Sequence, residues 1–173
     1  MNRSLQVYFD KIESQRQALF TSIRNLSVEK LNHHIKGKWS INQIVAHLIA
    51  AERLSLNYLQ KKVNAIHEVE NSGVWEEMKM VFLTASQRLP GLKFKAPRVV
   101  VENTPSVSDL DALQKEWETL RMDLKNFLDK LPAGSEKKLI YKHARAGRLN
   151  TLHALKFFRE HVIHHTPQIK KLL

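Results

Sequence analysis

The sequence predicts an all-α protein: a helical bundle of four long amphipathic helices, with a short extra helix and a long crossover loop. Three observations carry that prediction. Apolar residues recur at spacings of three and four along separate stretches of the chain. These stretches are bounded by helix caps, prolines or glycines. Between them only Val99 to Val101 is strand-like, and a lone apolar triplet between Pro97 and Pro105 reads as an ordered loop.

Residues 3 to 26 form the first expected helix, with Leu5, Tyr8, Ile12, Leu19, Ile23 and Leu26 on one stripe. The segment SVEKLNHHIKGK is then a polar connector, and the adjacent His33 and His34 within it are exposed loop residues without a role. The second helix has a well-marked start. Ser40 is an N-cap, Gln43 completes a capping box, and Trp39 is placed to staple onto Ile44, which makes its expected role structural. Ile44, His47, Leu48, Ala51, Ser55 and Tyr58 share a face of this helix, and His67 belongs to its exposed end before Gly73. A shorter third helix spans Val74 to Arg88 and is closed by Pro90-Gly91. The crossover follows. A fourth helix, capped by Ser106 or Ser108, then carries Leu110, Leu113, Trp117, Leu120, Leu124, Phe127 and Leu131 until Pro132 stops it. The segment from Pro132 to Leu149 reads as a loop, and Asn150 or Thr151 caps the last helix. Pro167 removes an amide inside that helix and predicts a bend there, which either follows the bundle or re-aims His165.

The 173 residues suit one domain over 1–173, large enough for a sizeable core. No apolar run reaches the length of a membrane span, and the N-terminus becomes charged too early for a signal peptide. The absence of cysteine excludes disulfides and thiolate ligands, and a cytoplasmic location is expected. The net charge is +11, but its lysines and arginines are scattered, with no basic block and no aromatic RNA-binding signature. A solvated basic surface facing an anionic small molecule is therefore expected ahead of a specific nucleic-acid or membrane partner. The surplus of apolar helix faces points to a homodimer.

The last helix holds the chemistry. Ala154, Phe158, His161, Val162, His165, Ile169 and Leu172 form its buried stripe, with two histidines at i and i+4 in the middle. That spacing lets both imidazoles reach one point in front of the helix, as paired metal ligands do. His47, directed to the core one turn inside a firm cap, is the natural third ligand. The sequence His161-Val162-Ile163-His164-His165 lacks the glutamate of an H-E-x-x-H zincin. Glu52 and Glu160 fall off the relevant faces. His164, to one side of the stripe, is the nearest candidate for an acid–base role, its alternative being an exposed helix residue.

The stretch K-W-S-I-x-Q-I-x-x-H-L, Lys38 to Leu48, resembles the second-helix signature of DinB-like proteins, the superfamily that includes the YfiT-type enzymes. The stretch from Gly147 to Ile169, G-R-L-N-x-x-x-A-L-x-F-x-x-x-H-x-x-H-H-x-x-Q-I, resembles that family's closing motif, and Thr104-Pro105-Ser106 matches the entry to its fourth helix. The resemblance implies an up-down-down-up four-helix bundle, with a divalent metal held by His47, His161 and His165. It also implies activities such as metal-dependent hydrolysis or transfer using low-molecular-weight thiols. Where the family often has a His-Pro pair, this chain has His143-Ala144, and His143 reads as a loop residue rather than a ligand.

Three imidazoles would leave the ion's charge undiminished and a coordination position open, which suits a catalytic site. An all-nitrogen set favours zinc or nickel and admits iron or manganese. The leading expectation is a thiol-dependent S-transferase or hydrolase. A metal-binding or stress-response module without turnover is the alternative, and a nucleic-acid-associated protein ranks third.

Overall fold

The computed structural model describes residues 1–35, 37–89, 98–102, 104 and 109–173. The Pro90-Gly91 turn, Pro97, Pro105 and the expected caps Ser106 and Ser108 lie outside the described residues.

Four long helices make the bundle: α1 (Arg3–Ile23), α3 (Ile41–Lys62), α6 (Leu110–Asp129) and α7 (Thr151–Lys170). α1 lies against α6 and α7, and α3 lies against the same two helices, so the four close around one core. A shorter α4 (Val74–Arg88), with the bounds its sequence predicts, packs on the outside of α7. α3 is the most enclosed element. Along its first three turns nearly every side chain is buried, as expected for a helix apolar on more than one face. Its start is held by the expected capping box: Gln43 N–H donates to Ser40 Oγ at 3.2 Å, and Ser40 N–H donates to Gln43 Oε1 at 2.9 Å. Among the described residues no helix is long and apolar enough to cross a membrane.

The connectors hold more structure than their composition suggests. α1 ends at Ile23, and Leu26 packs on the core beyond its end. The polar connector contains a one-turn helix, α2 (Val28–Asn32), because Ser27 caps it and Leu31 is buried beneath it. Around Val99 to Val101 the chain forms another short helix, α5 (Arg98–Glu102), rather than a loop. An Arg98–Glu102 pair at 2.6 Å spans it, and Val100 packs on Ala50 and Ala51 of α3. α6 is capped by Asp109, whose Oδ2 accepts from Ala112 N–H at 3.0 Å, in place of either serine.

The expected loop after Pro132 contains a hairpin of β1 (Tyr141–His143) and β2 (Gly147–Leu149), with Tyr141 opposite Leu149 and His143 opposite Gly147. Gly147 has φ +70°, a left-handed conformation in which a side chain would be strained. The three-residue strands are too short to show an alternation; burial of Tyr141 and Leu149 holds them in place. α7 starts at Asn150, whose Oδ1 accepts from His153 N–H at 2.7 Å, and continues through Pro167 to Lys170.

Candidate metal centre

Two elements bring the imidazoles together. The Ser40 cap sets the phase of α3 so that His47 faces α7, and the i, i+4 spacing on α7 presents His161 and His165 toward it. All three side chains are nearly sealed, with exposures of 4%, 9% and 6%. Nε2 of His161 stands 3.2 Å from Nε2 of His47 and 3.2 Å from Nε2 of His165. Two nitrogens bound ~2.0–2.1 Å from one tetrahedral ion would stand about 3.3 Å apart, so the spacing fits a shared cation. One ligand atom from each ring lies within 4.8 Å of the others, an arrangement that could hold a metal ion.

The electrostatics point the same way. Burial, reinforced by His164, lowers His47 to about 4. Burial, then His47 and His164, lowers His165 to about 3. Burial and the neighbouring histidines hold His161 well below the usual range. At neutral pH the three rings are therefore uncharged and offer lone pairs. His161 Nε2 has two nitrogen neighbours but carries either one proton or one lone pair, so it cannot make a well-directed hydrogen bond to both. A cation between the nitrogens removes that conflict.

The rings are oriented by unlike means. His165 Nδ1 lies 3.2 Å from Gln168 Oε1, an arrangement that places the proton on Nδ1 and leaves Nε2 available. Nδ1 of His47 and of His161 is buried without a hydrogen-bond partner among the described residues. Aromatic packing holds these two instead. Phe157 stacks on His161 at 5.1 Å and 19°, and Trp39 lies 4.6 Å from His47 and 6.4 Å from His165. Trp39, expected only to staple the start of α3, forms a wall of the site. Its position before the cap hid this, because its second contact comes from the far end of the chain. Phe157 is one turn before His161 and Gln168 is three residues after His165; both spacings were available in the sequence.

The remaining candidates fall elsewhere. His164 is half-buried rather than an exposed helix residue. Its Nδ1 is 2.7 Å from the Gln87 carbonyl, tying α7 to α4, and its ring lies 5.0 Å from that of His165. Glu52 and Glu160 are both buried and engaged. Glu160 accepts from Arg88 at 2.7 and 2.8 Å and from Arg159 at 2.7 Å. Glu52 accepts from Trp117 Nε1 and from Arg121 Nη2, each at 2.9 Å. His143 is no ligand. Its Nδ1 accepts the amides of Arg145 and Ala146 at 3.2 Å and its ring packs on Phe157 at 4.5 Å, so the hairpin supports the ring that supports His161. His33, His34 and His67 are exposed. His153, unremarked in the sequence pattern, is fully buried with Nε2 2.8 Å from Glu77.

The family model of the DinB superfamily matches residues 11–169. The chain belongs to the DinB superfamily. No curated protein and no solved structure matches it. In this DinB-superfamily chain the matched range contains all three convergent histidines and their aromatic and Gln168 supports. The three-histidine group fits a divalent metal.

Proposed function

We propose that this DinB-superfamily protein is a divalent-metal-dependent enzyme, a thiol-dependent S-transferase or a hydrolase, in which His47, His161 and His165 hold the ion. The observation that carries the reading is the convergence of three buried, uncharged imidazoles, with Nε2 of His47 and of His165 each 3.2 Å from Nε2 of His161. A three-nitrogen set favours zinc or nickel and admits iron or manganese. Such an ion, with one position open, would activate a water or hold a substrate thiol as thiolate. The chain's own part is to keep the three rings neutral by burial, to set the tautomer of His165 through Gln168, and to limit water on one side with Trp39. His164, anchored at the Gln87 carbonyl and packed on His165, is the candidate outside the triad for a proton-transfer role.

One observation favours a second reading, a metal-holding module without turnover. The two buried carboxylates nearest in sequence to the ligands, Glu52 and Glu160, are consumed by ion pairs and leave the site without an obvious carboxylate base. One experiment separates the two readings. Protein purified without a histidine tag is analysed for metal, reloaded with zinc or nickel, and incubated with low-molecular-weight thiols and electrophilic or ester substrates. Metal-dependent adduct formation or hydrolysis supports the enzyme. One equivalent of metal with no product under any condition supports the module, and protein that carries no metal and takes up neither zinc nor nickel sinks both.

A further inference from the structure

α4 has two apolar faces where the bundle uses one. Met80, Leu83 and Gln87 are buried toward α7. At 3.6 residues per turn, Val74, Trp75, Met78, Val81, Phe82 and Leu89 fall on the opposite side, and all six are exposed. Trp75 is 62% and Phe82 68% exposed. These two rings alone offer on the order of 300 Å² of apolar surface, the size at which a patch on a monomer is commonly an interaction site. On the other long helices the exposed large apolar residues stand singly, Val7 on α1 and Met122 on α6.

We propose that this face joins two copies of the chain, α4 packing antiparallel on α4 of the second copy about a dyad beside Phe82. A two-fold interface must be complementary to itself, and this stripe is. With Phe82 at its centre, Phe82 meets the partner's Phe82, and Met78 falls opposite the small Ala85 of the partner subunit. Trp75 then reaches the partner's Leu89. Charge agrees with the same arrangement. Glu77 and Arg88 lie on one flank of the stripe near its two ends; each is already paired with α7, Glu77 with His153 and Lys156 and Arg88 with Glu160, and their side chains remain 54% and 52% exposed. The dyad brings that flank against itself, so the exposed side of Arg88 comes within a turn of the partner's Glu77, and two oppositely charged α7-paired groups face each other at each end. Antiparallel helices also oppose their macrodipoles. One helix pair about 22 Å long lies at the small end of stable interfaces, so association on the order of micromolar is expected. The inference stands apart from the metal reading, because the face lies on the side of α4 away from α7.

The test is sedimentation of the full chain from about 1 to about 100 μM, which spans the micromolar range expected for a small interface. The wild-type mass should rise from 20.1 kDa toward twice that value. Phe82→Glu and Phe82→Lys each place like charges across the dyad, so both should remain at the single-chain mass with unchanged far-UV helix content. Mixing the two should restore the dimer through a Glu–Lys pair. A wild type that stays at 20.1 kDa throughout, or whose patch instead carries it onto anionic phosphatidylglycerol vesicles, overturns the proposal. So does a Phe82→Glu protein that still dimerises, or a mixture that stays monomeric.

Discussion

Replacing His47, His161 or His165 with Ala should each reduce metal content sharply, and combining two replacements should add little. A three-ligand site loses most of its geometry with the first ligand. His33→Ala and His67→Ala, at exposed positions, should leave metal content unchanged; equal loss in all five variants would remove the case for a site. Gln168→Leu tests the hydrogen bond that orients His165, and should weaken metal affinity by about 10- to 100-fold in a chelator competition. His143 provides a pH prediction. Burial first, and Arg145 second, lower its folded value to about 4, below the ordinary ~6.5 of an unfolded histidine. The fold thus favours the neutral ring, whose Nδ1 accepts two amides. Its contribution is fully present above pH ~6.5 and is lost as pH falls toward about 4, because the unfolded chain binds the proton first. The three site histidines titrate in the same direction, so the reading must be a difference. Metal-free wild type should lose melting temperature between pH 7 and 5, and His143→Gln should lose less; parallel slopes would refute the assignment.

At the scale of elements, the pairing of α3 with α6 depends on a buried charge. Glu52 and Arg121 are each 2–3% exposed and bonded at 2.9 Å, with Trp117 as a second donor and Phe20 edge-on to the indole at 5.9 Å. Burial pushes the Glu52 carboxyl upward, opposed by Arg121 and then by the Trp117 bond. Removing one partner strands the other in the core. Arg121→Met should therefore cost about 3–5 kcal/mol in denaturant unfolding, and adding Glu52→Gln should recover much of it. A single substitution that costs nothing would mean that the pair is not closed off from water in solution. Helical phase places Glu52 off the site's face. Its burial against a different helix could not be seen from α3 alone, since helical phase reports direction and not what waits there.

For the whole molecule, the core is continuous and apolar without any ion, so metal-free protein should fold with wild-type helix content. The converged nitrogens belong only to the folded state. Adding metal at 100 times its Kd should thus stabilise the chain by about 2.7 kcal/mol and raise the melting temperature. Unfolding upon chelation would show instead that the ion is structural. α2, α5 and each strand of the hairpin are three to five residues long, too short for a period to register, and they are held by one or two buried side chains: Leu31, Val100, and Tyr141 with Leu149.

Local patterning determined the long helices, the bounds of α4, the Ser40–Gln43 cap and the inward direction of His47, His161 and His165. Each depends on spacing within one helix, where 3.6 residues per turn converts order into direction. Only the tertiary structure decided that His47 and His161 stand 3.2 Å apart across 114 residues of chain, that Trp39 and Phe157 hold their rings, and that Glu52 and Glu160 are spent on arginines. Those contacts join separate helices, and their partners are selected by how the bundle closes, which no single stretch of sequence records.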